Sequence, residues 1–271
     1  MHPALQRELP LNQRWRARRD SYRPAGETIR TSEYDVAAID DDTTTKRFVV
    51  REHYSGSYPA ARFRYGLYRH GALVGVAVYS HPCRNEVLTS IFPGKATDSV
   101  ELGRFVLLDE VPANGETFFL ARTFRFLKRE GVIGVLSFSD PMPRTNAEGI
   151  TIFPGHIGTI YQAGNAVYLG RGGARGLRLL PDGRVLSDRA ISKIRRKERG
   201  WRHCAALVEA YGAEPIGDEN PVMWLRHWLG RLSRRVRHPG NHKYAWAIDA
   251  KIRDFLPPSL PYPKQFRAAA A

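Results

Sequence analysis

The sequence predicts a mixed α/β (α+β) fold, a central β-sheet flanked by helices with a basic helical extension at its C-terminal end. Three observations lead there. Short apolar runs bounded by turn residues recur through residues 47–187. One long amphipathic segment lies between two of these runs, which makes a strand–helix–strand crossover. After residue 187 arginine-rich helical sequence takes over. Hairpins followed by a crossover give a mixed sheet, antiparallel apart from the crossover pair.

The elements follow in order. Residues 1–46 are polar and irregular, basic at Arg14, Arg16, Arg18 and Arg19 and acidic at Asp40, Asp41 and Asp42. They read as a flexible arm. Phe63 to Arg69 and Leu73 to Ser80 form strands around the turn His70-Gly71, a hairpin signal. VELGRFVLL, 100–108, is a third strand. ETFFLARTFRFLKREG, 116–131, sets Leu120, Phe124 and Leu127 at helical spacing and stops at Gly131. VIGVLSFSDP, 132–141, is a buried strand that runs into a carboxylate and a proline. HIGTIYQAGNAVYLG, 156–170, reads as a short helix on which Tyr161 and Tyr168, two turns apart, share a face. LRLLPDGRVLS, 177–187, is a hairpin around Pro-Asp-Gly. Residues 188–213 read as basic helix divided at Gly200, and a second basic helix precedes the strand-like NHKYAWAI. The chain therefore divides into an arm (1–46), a core (47–187) and a basic helical and strand extension (188–271) packed on the core.

Composition bounds the function. The 271 residues carry 42 Lys+Arg against 27 Asp+Glu, a formal net charge of +15. Such an excess seeks a polyanion, nucleic acid ahead of an acidic membrane surface. No apolar run approaches the roughly 20 residues that span a bilayer, and the N-terminus lacks the apolar centre of a signal peptide. Two isolated cysteines, Cys83 and Cys204, make neither a disulfide framework nor a zinc ribbon. A cytoplasmic protein is expected.

Candidate chemistry concentrates at a few places. HYSGSYP, 53–59, is a polar loop that is either a plain turn or carries a titratable histidine, His53. Asp140 lies beyond the carboxyl end of a buried strand, where α/β sheets place ligands. It either caps the turn of Pro141 or faces a cleft. Arg104 is a charge inside a run that otherwise wants burial, free to pair with Glu101 or to hold an anion. Asn114-Gly115 opens the long helix, and helix starts bind anions. Lys193, Arg195, Arg196, Lys197, Arg199, Arg234 and Arg235, interleaved with Trp201, Trp224 and Trp228, suit phosphate contacts. The tryptophans read as anchors for those helices.

The segments HYSGSYPAARFRYGLYRHGALVGVAVYSHP, VELGRFVLLDEVP, VLSFSDP, GHIGTIYQAGNAVYLGR, LRLLPDGRVLSDRAISKI and HPGNHKYAW run in order over residues 47–250. Together they resemble the Mom proteins of phages and prophages, a divergent branch of the GNAT acyltransferase fold. The resemblance implies a GNAT-like sheet and a DNA hypermodification enzyme. Such an enzyme places a carbamoylmethyl (glycinamide-type) group on the exocyclic amine of adenine and so protects phage DNA from host restriction. It implies catalytic roles for His53, Tyr54, Asp140 and Tyr161, with Arg104 beside them, and iron held by His53 and Asp140. Double-stranded DNA is then the partner, and Tyr58 a wall against which a flipped base stacks.

Ordinary GNAT enzymes hold the coenzyme A pyrophosphate on a glycine-spaced loop. Here that segment, Asp109 to Gly115, is acidic and lacks the spacing. The donor is therefore either acetyl-coenzyme A or an aminoacyl-tRNA, glycyl-tRNA in particular. Two other classes stay open: an N-acetyltransferase acting on a protein or small amine, and a DNA-binding protein without catalysis.

Overall fold

The structure, a computed structural model, describes residues 11–16, 19–24, 27–82 and 86–264, with side chains from residue 27 onward. Cys83 lies outside the described residues. In chain order the elements are β1 (Leu11–Arg16), β2 (Arg19–Pro24), β3 (Tyr34–Ala38), α1 (Asp42–Glu52), β4 (Ala61–Arg69), β5 (Ala72–Ser80), α2 (Glu86–Thr89), β6 (Ser99–Leu107), α3 (Gly115–Arg129) and β7 (Gly134–Ser139). Then come β8 (Arg144–Thr145), β9 (Thr151–Phe153), α4 (Thr159–Ala163), β10 (Val167–Arg171), β11 (Arg175–Leu179), β12 (Val185–Leu186), α5 (Asp188–Arg196), α6 (Trp201–Glu209), α7 (Pro221–Leu232), β13 (Arg234–His238) and β14 (His242–Ala247). Among the described residues no helix is long and apolar enough to cross a membrane.

The chain forms two compact units, one of residues 1–141, 156–172 and 241–271, the other of 142–155 and 173–240. The first holds a seven-stranded sheet in the order β10-β14-β7-β6-β5-β4-β3. Every neighbouring pair in it is antiparallel except β6 and β7, the crossover pair that the sequence predicts. α3 covers one face and buries Phe119, Leu120, Thr123 and Leu127 in a core shared with Tyr79, Tyr161 and Tyr244. α1 serves the opposite face, where Phe48 and Val49 pack with Val76, Val78 and Val106.

The second unit contains the three-stranded sheet β12-β11-β13, the ribbon β8-β9 and the helices α5, α6 and α7. Its own core gathers Ile194, Val208, Trp224 and Leu229, with Trp201 and Trp228 packed against it. Trp224 is fully buried and its indole N–H donates to the Glu214 carbonyl at 2.8 Å. The tryptophans are therefore anchors. Gly200, in the left-handed region at φ 81°, divides the basic segment into α5 and α6 as expected.

Four expectations need correction. The arm does not extend to residue 46, since β3 is an edge strand of the main sheet and Asp41 caps α1 by accepting the N–H groups of Thr43 and Thr44. The acidic trio that read as a linker is a helix start. Tyr168 is on β10 and not on the helix of Tyr161, because Gly164 and Asn165 end α4 after five residues. The basic helix α7 stops at Leu232, and Arg234 to His238 form a strand. Finally, the extension does not run unbroken from 188 to the end. β14 returns to the seven-stranded sheet between β10 and β7, while the hairpin β11–β12, assigned to the core, belongs with the basic helices.

Candidate functional site

The parallel pairing of β6 with β7 is short. It covers Ser99, Val100 and Glu101 against Gly134, Val135 and Leu136, although β6 continues to Leu107 and β7 to Ser139. Beyond Glu101 the pairing stops although both strands continue, which leaves an opening in the ladder. Ser137 donates its hydroxyl to the Leu102 carbonyl at 3.1 Å in place of a ladder bond.

A bulge determines what lines this opening. On β5, Val78 pairs with Arg104 while the next residue, Tyr79, pairs with Leu102, so Gly103 is an extra residue in β6. Residues three apart in a strand ordinarily face opposite sides, and one inserted residue returns them to the same side. Glu101 (opposite Ser80) and Arg104 (opposite Val78) therefore share the α1 face. Only glycine fits at the bulge, because a Cβ on residue 103 would lie 2.6 Å from Ser80 Oγ and 3.3 Å from Pro59.

The loop HYSGSYP closes over the same face. His53 ends α1 with its N–H on the Val49 carbonyl at 2.9 Å, and Gly56, at φ 53°, turns the chain back with its N–H on the His53 carbonyl. The loop side chains form one directed chain of hydrogen bonds. Arg104 Nη2 donates to Ser57 Oγ at 2.8 Å, Ser57 Oγ to Ser55 Oγ at 3.3 Å, and Ser55 Oγ meets His53 Nδ1 at 2.9 Å. The Ser55 backbone N–H also donates to Nδ1, at 3.2 Å. A guanidinium and a backbone N–H can only donate. Nδ1 is thus an acceptor, and the neutral imidazole carries its proton on Nε2. Burial, helped by the charges of Arg104 and His156, holds His53 well below the usual histidine pKa, so the ring stays neutral.

Arg104 is a clamp on this loop. Besides Ser57 Oγ it grips the Ser57 carbonyl through Nε at 2.8 Å and its own neighbour's carbonyl at Gly103 through Nη1. Glu101, the ion-pair partner that the sequence suggested, does not hold it. No hydrogen bond or ion pair engages the Glu101 carboxylate among the described residues, and the side chain is partly exposed. Burial raises its pKa to about 7 against the opposing pull of Arg104.

Tyr161 lies beneath the opening, 6% exposed, with its ring against Tyr244 and Trp246 at 5.4 and 5.5 Å. Its phenol is pushed up by burial, opposed by the Ser137 hydroxyl, raised further by Glu101 and opposed by Arg104, so it stays protonated. Tyr54 lies against His53 with the rings tilted by 31° and their centroids 4.2 Å apart, and its hydroxyl lies 3.3 Å from His156 Nε2. The His156 N–H donates to the Asp140 carbonyl at 2.7 Å. Shared neighbours thus bring His53, Tyr54, Arg104, Tyr161 and the Asp140 backbone into one neighbourhood. Glu101, His156, Ser55 and Ser57 join them. The signals for these additions were the H-x-S-x-S alternation and a glycine between Glu101 and Arg104 inside a strand.

Other sequence candidates lie elsewhere. Tyr58 donates its hydroxyl to Asp42 Oδ1 at 2.7 Å and packs on the α1-side core, which makes it an anchor of α1 and not an open wall for a base. Asn114 Oδ1 accepts the Ile29 N–H at 2.7 Å, and the Ala113 N–H donates to Glu27 Oε2 at 3.3 Å. The chain's own carboxylate therefore stands at the start of α3. Gly115 is buried there, and a Cβ on it would clash with Val111.

Iron does not fit the residues present. Among the described residues no three His, Cys, Asp or Glu side chains converge on a metal position. His53 offers an Nε2–H, and its charged neighbours are cationic when protonated. The pair His53 and Asp140 that the resemblance implies gains no third such ligand among the described residues.

In the second unit α5 and the turn after it carry Lys193, Arg195, Arg196, Lys197 and Arg199. Glu198 answers part of this charge, with Arg189 at 2.6 Å and Arg196 at 3.9 Å, and Lys197 and Arg202 lie over Trp201. Arg234 is engaged by Thr145. The strand pair β11–β13 differs. Arg175, Arg235 and Arg237 border a groove of 430 Å³, are exposed, and their guanidiniums have no hydrogen bond or ion pair among the described residues.

The sequence matches the model of the Mom protein family over residues 33–264. No curated protein matches it. Solved structures that resemble the chain include ribosomal-protein-S5-alanine acetyltransferase from Vibrio fischeri, at 11% identity over 80% of this chain and 94% of that one, TM-score 0.38. A tandem GNAT protein from the clavulanic acid biosynthesis pathway is 8% identical over 80% and 99%, TM-score 0.42. An N-acetyltransferase from Staphylococcus aureus Mu50 is 8% identical over 80% and 99%, TM-score 0.35.

Proposed function

The chain belongs to the Mom protein family, and we propose that it is a transferase acting on the exocyclic amine of adenine in double-stranded DNA. The group added is of the carbamoylmethyl (glycinamide) type, and the modified DNA resists restriction. The observation that carries this reading is the opening between β6 and β7. A neutral histidine and a carboxyl raised to about 7 line it where the ladder stops.

The residues divide the work. His53, neutral and proton-bearing at Nε2, donates a hydrogen bond to the reacting group and orients it. Tyr161, kept protonated by burial, supplies a second donor toward negative charge that develops during the reaction. Arg104 holds the 53–57 loop in shape. An adenine amine in duplex DNA reaches such a recess only when the base is flipped out. The backbone phosphates suit the arginines whose guanidiniums have no partner among the described residues, Arg175, Arg235 and Arg237, together with Lys193, Arg195 and Arg199.

For the donor, an aminoacyl-tRNA such as glycyl-tRNA fits better than acetyl-coenzyme A. A pyrophosphate at the start of α3 would have to displace Glu27 from the Ala113 N–H. An aminoacyl ester places no such demand on that site.

Mass spectrometry of nucleosides from DNA of cells that express the protein tests the reading. A modified deoxyadenosine heavier by a glycinamide-type group is expected. Unmodified nucleosides with ordinary restriction sensitivity would sink it. Acetylation of a protein or small amine without any need for DNA would replace it.

A further inference from the structure

We propose that Glu101, and not His53, takes the proton from the acceptor amine. The proposal rests on the amine-modifying reading above and assigns the base of that same site.

The loop hydrogen bonds rule His53 out of this role. Every donor in the chain from Arg104 through Ser57 and Ser55 points toward Nδ1. The nitrogen left for substrate, Nε2, already carries the ring proton and can only donate. For Nε2 to accept a proton, Nδ1 would have to become the protonated nitrogen. It would then oppose the Ser55 backbone N–H, which donates to it and cannot accept.

Glu101 has the complementary properties. It is the last residue of β6 paired with β7, so its side chain is at the edge of the opening. The Gly103 bulge sets it on the same face as Arg104. Its neighbours on the flanking strands, Ser80 and Leu136, bring no charge. Arg104 on its own strand and Tyr161 from α4 are the charged and titratable groups that act on it electrostatically. Arg104 directs its donors at Ser57 and Gly103, and the carboxylate has no hydrogen bond or ion pair among the described residues. A carboxylate locked in an ion pair is a weak base. One that is desolvated, unpaired and still partly exposed is a stronger one, with a pKa near neutrality.

The step balances with an ester-activated aminoacyl donor. The amine nitrogen attacks the ester carbonyl carbon, and the N–C bond forms as one N–H proton passes to the Glu101 carboxylate. The ester C–O bond breaks and its electron pair leaves with the alcohol oxygen, which takes a proton from water. Glu101 then returns its proton to hydroxide. This step gives the N-glycyl amide, an isomer of the carbamoylmethyl group. The methylene-linked form then requires a rearrangement that exchanges the two ends of the group without gain or loss of atoms. The exocyclic amine of adenine shares its lone pair with the ring, so removing the proton during attack is what makes it nucleophilic.

The test is the pH profile of DNA modification by the full-length protein and three variants, with a carbon-13 NMR titration of its glutamate carboxyls. The wild-type rate should rise with pH through a midpoint near the Glu101 value. Glu101→Gln should lose at least about 100-fold in rate and lose this limb. Glu101→Asp should keep part of the rate with the limb shifted. His53→Gln, which keeps a side-chain N–H, should slow the reaction but keep the limb. A Glu101→Gln protein with the wild-type rate and limb would overturn the proposal, as would a limb that vanishes in His53→Gln instead. If the wild-type protein leaves DNA unmodified, the DNA reading fails. The assignment of Glu101 is then judged on the titration, where a Glu101 carboxyl at its ordinary value overturns it and one near neutrality supports it.

Discussion

Arginines in the two units do opposite things. Arg104 directs every nitrogen of its guanidinium at a fixed acceptor, two on Ser57 and one on Gly103. Arg175, Arg235 and Arg237 direct theirs at nothing within the described residues. A guanidinium with its donors satisfied sets the shape of what it holds, while one without partners keeps them for a ligand. Net charge cannot tell the two apart. Hydrogen bonding can, and it moves Arg104 from anion holder to loop clamp.

The largest effect should come from releasing the clamp. Arg104→Ala should lower the modification rate by about 100-fold, because a small displacement of a reacting group costs that much. Arg104→Lys should not rescue it, since one ammonium cannot reach the Ser57 carbonyl and hydroxyl as a fork. Nitrogen-15 NMR of the imidazole should show the Nε2–H form of His53 give way to a tautomer mixture. A variant with wild-type kinetics and an unchanged tautomer would erase the distinction between the two kinds of arginine.

The next effect tests the other side. Replacing Arg175, Arg235 and Arg237 by alanine together should weaken DNA binding. The slope of log affinity against log salt should fall by about 3, roughly 0.9 per phosphate contact. Fluorescence anisotropy on a labelled duplex across a salt series measures it, and an unchanged slope would assign the groove another role.

Stability should answer to Glu101 in the sense of a residue kept for function. Its carboxyl has an ordinary value of 4.5 and rises to about 7 in the fold. Between these values the folded state keeps a proton that the unfolded state has lost, so the residue costs stability increasingly as pH rises through this window. Above it the cost is constant, on the order of 3 kcal/mol. Glu101→Gln should therefore raise the melting temperature at pH 8 more than at pH 5, while the activity falls. His53 works the other way. With its folded value below the usual 6.5, the unfolded state binds the proton first, and stability is lost as pH falls below 6.5.

The smallest effect should be Ser55→Ala, which removes one link but leaves the Ser55 N–H on His53 Nδ1. A loss of a few-fold in rate, on the order of 1 kcal/mol for one hydrogen bond, is expected with the tautomer retained.

Much of the fold was legible because it depends on local pattern. The apolar period of 116–131 required the helix, the runs at 63–80 and 100–108 required strands, and the stop at Gly131 led into the buried strand. α1 escaped because its signal was a cap, Asp41, amid acidic residues that also suit a linker. In the site, His53 and Asp140 were candidates from their places in the sequence, and the resemblance implied catalytic roles for them together with Tyr54 and Tyr161. Glu101 was passed over as a salt-bridge partner, and Ser55 and Ser57 carried no assignment.

The sequence by itself determined the strand–helix–strand crossover, the basic second half and the polar loop at HYSGSYP, since each follows from periodicity or charge along the chain. Only the tertiary structure decided how the loop works. A direction of hydrogen bonding from Arg104 to His53 spans 47 residues of sequence between Arg104 and Ser57. The bulge at Gly103 turns Glu101 and Arg104 to one face. Which group becomes base and which becomes clamp depends on such non-local neighbours, because a proton's position is set by what surrounds the group and not by what precedes it in the chain.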